Sequence, residues 1–178
     1  WYPLDTVGEA RELVNLVDGA AAGAAGKGLR IHDAALEFDG DGPATFPGSG
    51  VRRRFEPLSY ALWLRVPEAY ERAVVLHRSK AWHDSGSRGY QLLVEDGRVS
   101  ASWIHFWPGD ALRVRATEAL PVGEWVHVAV AYDGTSTAAG VTLWVDGREA
   151  PVEVVRNSLT RKIIDGAEGD LTLGQRFR

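Results

Sequence analysis

At 178 residues, with 45% hydrophobic and 25% charged side chains, the chain has room for one packed domain and too little for two, and it is not composed like a disordered segment. A formal net charge of −4 speaks against a phosphate-backbone partner, so nucleic acid is not expected. The absence of cysteine excludes disulfides, thiol nucleophiles and zinc–thiolate centres. Along the chain, residues 9–17 are expected to form a short helix, and the Ala/Gly-rich stretch 18–28 a connecting loop. Strand-length runs follow at 34–38, 58–66, 73–77, 90–94, 99–107, 112–116, 125–132, 141–145 and 171–173. The clearest is 58–66, where Leu58, Tyr60, Leu62, Leu64 and Val66 fall on one face and Ser59, Ala61, Trp63 and Arg65 on the other. Asp96-Gly97, Asp133-Gly134 and Asp146-Gly147 supply hairpin turns, and Pro67, Pro108 and Pro121 sit at strand ends. Many short strands without alternating helices predict an all-β, two-sheet antiparallel jelly-roll sandwich spanning 1–178 as a single domain. No apolar run is long enough for a membrane helix, so membrane insertion is not expected.

Several pieces, in order, resemble the laminin-G-like family of concanavalin-type jelly rolls. They are Ala35-Leu36-Glu37-Phe38-Asp39-Gly40, the 58–66 strand, Gly123-Glu124-Trp125-Val126-His127-Val128-Ala129, and Gly140-Val141-Thr142-Leu143-Trp144-Val145-Asp146-Gly147. Residues 73–79, 89–93 and 104–109 are similar to laminin-G-like domains set within large planctomycete chains that also carry cytochrome-c-like domains. That resemblance implies an extracytoplasmic home. The opening Trp1-Tyr2-Pro3 and the lack of any methionine agree with a domain cut from a longer chain. One departure stands out: the family closes with a further strand beside the first one. The chain stops at Gly174-Gln175-Arg176-Phe177-Arg178, so that strand is expected to be missing and an edge exposed.

Four patterns bear on chemistry. Glycosidases of this fold carry a Glu-x-Asp-x-x-Glu strand whose carboxylates flank the scissile bond; here Glu37-Phe38-Asp39-Gly40-Asp41-Gly42 has glycine where the last acid is needed, so no enzyme is expected. No Gly-x-Ser-x-Gly elbow accompanies the five histidines. Asp39 and Asp41 offer hard oxygen ligands on a glycine turn, and the resemblance implies a possible calcium at the sandwich rim; a plain polar turn is the alternative.

The fourth pattern is aromatic. Alternation sets Trp63, Trp144 and His127 opposite their aliphatic neighbours, and puts Trp103, His105 and Trp107 on a shared face. If these strands share one curved sheet, then Trp63, Arg65, Gln91, Trp103, His105, Trp107, His127 and Trp144 would form a concave face for a glycan, with Trp82 on a loop above it. The same tryptophans could instead pack under loops. The run Arg52-Arg53-Arg54 suggests either anion contact or pairing with carboxylates. The expected function is a non-catalytic binding module of a secreted protein. Its partner would be a glycan, or a neighbouring protein domain that adds a strand.

Overall fold

In the computed structural model, which describes residues 1–17, 22–40, 42–79, 88–164 and 169–174, the regular secondary structure is almost wholly antiparallel strand. They are β1 (Glu12–Leu13), β2 (Gly23–Ala25), β3 (Arg30–His32), β4 (Ala35–Glu37), β5 (Ala44–Phe46), β6 (Leu58–Arg65), β7 (Arg72–Ser79) and β8 (Gly89–Glu95). The rest are β9 (Arg98–Phe106), β10 (Asp110–Ala116), β11 (Trp125–Tyr132), β12 (Val141–Val145), β13 (Arg148–Glu149), β14 (Val152–Asn157) and β15 (Leu171–Leu173). A nine-stranded sheet runs β1-β2-β5-β15-β7-β8-β9-β10-β14, a four-stranded sheet runs β13-β12-β11-β6, and β3 and β4 form a separate hairpin.

Period-two alternation explains how the two sheets meet. Leu92, Val94, Trp103, Leu112 and Val114 of the large sheet face Val126, Val128, Val130, Tyr132 and Leu143 of the small one, and all are buried in one core. Aromatic pairs help fill the space between the layers: the Trp103 and Tyr132 rings lie 4.4 Å apart, and Tyr60 and Tyr90 stack at 6.4 Å. A second, smaller cluster of Leu13, Ala25, Leu29, Ala44 and Phe46 sits at the β1–β2–β5 end. The two-residue turns Asp96-Gly97 and Asp146-Gly147 have φ of 51° and 74°, and 49° and 75°. Positive φ at both central positions matches the twist of the flanking strands, and glycine carries the second position without a Cβ penalty.

Two expectations need correction. Residues 9–17 form no helix. Arg11 has a φ of 62°, and its guanidinium donates to the carbonyls of Ala25, Gly26 and Leu29, which holds the segment as the edge strand β1. Val14, Leu16 and Val17 are exposed, so no apolar helical stripe exists to bury. The Ala/Gly-rich stretch is not simply a loop either: Gly23–Ala25 pairs with both β1 and β5, its small side chains fitting beside Phe46. The β4 strand pairs with β3, while β6 pairs with β11 on one side and with no other described strand on the other.

Candidate functional site: an aromatic sheet face

The register of the four-stranded sheet fixes which side chains share its outer face. Trp125 pairs with Arg65, His127 with Trp63, Ala129 with both Ala61 and Trp144, and Ala131 with both Ser59 and Thr142. Each of these residues alternates with a core aliphatic, so the burial that locks the core also forces them outward. Trp63 is 60% exposed and Trp125 is 42% exposed, far more than core packing of an indole would leave. The Trp63 and His127 rings are 5.3 Å apart, and the Arg65 guanidinium lies 5.3 Å from the centre of the Trp125 ring. Between Trp63 and Trp144 the floor is alanine, with Cα atoms about 12 Å apart from strand spacing and rise.

This face is rigidly held. The Asp146 carboxylate accepts the His127 N–H at 2.8 Å, and the Asp146 N–H returns a bond to the His127 carbonyl at 2.8 Å. That reciprocal pair ties the β12–β13 turn to β11. At the other border Arg65 reaches Asp33 of the β3–β4 hairpin at 4.0 Å.

The remaining residues expected on this face lie elsewhere. Trp103 points into the core, because β9 alternates Val99, Ala101 and Trp103 inward and Ser100, Ser102 and Ile104 outward. Gln91 sits between the core residues Tyr90 and Leu92, and is therefore buried on the far side of the large sheet. His105 Nδ1 donates to the Lys162 carbonyl at 2.6 Å. Trp107 follows β9 and covers the Arg113 guanidinium at 3.8 Å, with Arg156 at 5.5 Å. The aromatic residues are thus divided between two sheets, and of the expected residues that are described, Trp63, Arg65, His127 and Trp144 come together. Trp125 joins them: it lies two residues before His127 and on the same face of β11. Trp82 and Asp41 lie outside the described residues. Asp39 lies in the exposed turn after β4, and among the described residues no group of three His, Asp or Glu gathers that could hold a metal.

A second polar layer escaped the sequence reading. On the far face of the large sheet His77, Ser79, Gln91, Ser100, Ser102, Arg113 and Thr172 are buried side by side. Arg113 donates to Glu95 at 2.9 Å and to Ser102 at 2.8 Å, and His77 Nδ1 lies 3.0 Å from Ser79 Oγ. The signal was present as Ser and Gln alternating with core aliphatics in 90–102. Near its border, burial pushes the Asp110 carboxyl up, but bonds from the Thr160 N–H and hydroxyl and the Arg161 N–H, with His105 nearby, hold it below the ordinary value.

Two antiparallel layers around an aliphatic core, with an aromatic outer face on the smaller one, place this chain in the jelly-roll class of β-sandwich. A laminin-G-type family model, described as the concanavalin A-like lectin/glucanases superfamily, matches residues 38–178, and the chain belongs to that family. No curated protein matches it in sequence. Among solved structures it is similar to domains LG4-5 of the mouse laminin alpha1 chain, at 19% identity and a TM-score of 0.48, over 71% of this chain and 30% of that one. It is also similar to an endo-beta-1,4-glucuronan lyase from the fungus Trichoderma reesei, at 13% identity and a TM-score of 0.49, over 98% of this chain and 77% of that one. The chain therefore spans under a third of the laminin chain it aligns with.

Proposed function

We propose that this domain is a non-catalytic binding module that takes carbohydrate on the outer face of its four-stranded sheet. The observation that carries the reading is the exposure of Trp63 and Trp125 beside His127 and Trp144, over a floor of Ala61, Ala129 and Ala131. Indole faces stack on the C–H faces of sugar rings, alanines leave room for the ring, and Arg65 and His127 offer hydrogen bonds to hydroxyls. A face meant for a protein core would carry large aliphatics, and this one has none among its described residues. Support for the non-catalytic half comes from its acids: Glu149 lies at the border opposite Trp144, and Asp146 already serves the His127 N–H. The test is a neutral-oligosaccharide panel read by tryptophan fluorescence. Binding should weaken roughly 3- to 10-fold in Trp63→Ala and again in Trp125→Ala, the range of one aromatic contact. Binding unchanged in both variants, or turnover of any bound glycan, would overturn the proposal.

One observation favours a second reading, a module completed by a partner strand. Along β6, Leu58, Tyr60, Leu62 and Leu64 face the core but are only half-buried, whereas Val126, Val128, Val130 and Tyr132 of the adjoining β11 are fully buried. The outer edge of β6 pairs with no other described strand and the β3–β4 hairpin joins neither sheet, so an extended segment with alternating apolar side chains could pair along β6. Amide exchange along β6 should be fast in the isolated domain and slow beside such a neighbour; slow exchange in the isolated domain argues against this reading.

A further inference from the structure

The chain's run of three arginines is set apart from the aromatic face. It precedes β6, and Trp63 lies five residues beyond the start of that strand, about 17 Å along it. Residues 50–54 are pinned at both ends by buried phenols. Tyr90 donates its hydroxyl to the Gly50 carbonyl at 2.7 Å, and Tyr132 donates to the Arg54 carbonyl at 2.5 Å. Arg54 is used within the fold, donating to Ser136 Oγ at 2.6 Å. Glu56 closes the turn: its carboxylate accepts the Arg53 N–H at 2.6 Å, and its own N–H donates to the Arg53 carbonyl at 3.1 Å. The loop that carries Arg52 and Arg53 is therefore organised before anything binds to it.

Several other arginines are paired with acids: Arg30 with Glu37, Arg65 with Asp33, Arg98 and Arg115 with Glu153, Arg113 with Glu95 and Arg161 with Asp110. Among the described residues, neither Arg52 nor Arg53 meets a carboxylate within ion-pair distance; Arg52 donates only to its neighbour, the Val51 carbonyl, at 2.7 Å. Both line a cavity of about 460 Å³ together with Val51, Glu56 and Ile164. That volume suits a one- or two-ring ligand. Two guanidinium forks on a fixed loop match the two oxygens of a carboxylate or the oxygens of a sulfate ester. The apolar Val51 and buried Ile164 provide a wall for the body of the molecule. We infer that this cavity binds the oxyanion of a small acidic ligand, carboxylate or sulfate ester, through Arg52 and Arg53.

The experiment follows the arginine side-chain N–H resonances of the 178-residue chain during titration with digalacturonate, with its neutral methyl ester, and with galactose 6-sulfate. Saturable shifts at Arg52 and Arg53 are expected with an anionic probe and not with the ester; the tighter of the two anions identifies the oxyanion. Arg52→Gln and Arg53→Gln change exposed side chains and should leave the fold intact, yet each should weaken binding at least about tenfold, the effect of one charge-assisted bond. Arg30→Gln, on the separate hairpin, should leave binding unchanged. Absence of saturable shifts with either anion, equal binding of the ester, or equal shifts at Arg30 and Arg148 would overturn the inference. A neutral-glycan result on the sheet face leaves this test untouched, so the two proposals fail separately.

Discussion

Two tryptophans of this chain lie in opposite surroundings, and exchanging each for alanine separates packing from recognition. Trp103 is 1% exposed and its ring meets Tyr132 at 4.4 Å, whereas Trp63 is 60% exposed. Trp103→Ala removes an indole from a closed core and leaves a void, a loss of about 3–5 kcal/mol. For a domain of 178 residues, with an unfolding entropy near 0.37 kcal/mol per kelvin, that lowers Tm by about 10 °C. Trp63→Ala exposes no new core and should move Tm by less than about 2 °C. Scanning calorimetry of both variants, with glycan titration alongside, gives crossed outcomes: Trp103→Ala is weakened in stability, Trp63→Ala in binding. Equal losses of Tm would refute the division of the tryptophans between core and surface. So would a Trp103→Ala protein as stable as the parent.

Two glycines make a second contrast. A Cβ at Gly89, where φ is 145°, would lie 1.9 Å from the Arg78 carbonyl oxygen, while one at Gly147, where φ is 75°, meets nothing within 4 Å. Gly147→Ala should cost about 1 kcal/mol from backbone conformation alone, and Gly89→Ala more than about 3 kcal/mol, read as urea midpoints; similar losses would show that the β7–β8 approach is not tight. Alkaline pH supplies the third prediction. Burial, with Tyr90 nearby, pushes the Tyr60 phenol strongly up. Burial also pushes Tyr90 up to about 12, although Arg78 and Arg52 draw it down. Both are raised above the unfolded value near 10, so their contribution is complete below about pH 10 and is lost as pH rises toward 12. Phenolate absorbance should therefore show Tyr60 and Tyr90 ionising only together with unfolding, and smooth ionisation of all five tyrosines in a folded protein would contradict their burial.

The long strands were legible because one face of each is aliphatic. In β6, β11 and β12 the alternation of Leu or Val with Ser, Ala, Thr or Trp assigns every side chain to a face, and the structure follows it. Strands of two or three residues, such as β1, β2, β3 and β5, are too short to show a period, and their pairing depends on Arg11 and Phe46 reaching across the chain. The β14 strand was hidden by an irregularity: Arg113 pairs with Arg156 and Val114 with Val154, so Val155 is an extra residue that breaks the alternation. The aromatic face was half legible. Parity sets Trp63, His127 and Trp144 on the outer face of the small sheet; Gln91 also faces outward but from the large sheet, a long-range property, while Trp103 shares the core-facing parity of Val99 and Ala101. The free state of Arg52 and Arg53 could not be read locally, since the carboxylates that neutralise the other arginines are mostly distant in sequence.

Two prolines flank β6, Pro57 before its first residue and Pro67 two beyond its last. Neither has an N–H to give, so hydrogen bonding along that border stops at both ends. The interval measures eight residues, about 27 Å. Any polypeptide lying there meets a ruler of fixed length: a shorter one leaves donors bare, and a longer one must bend away where the prolines stand.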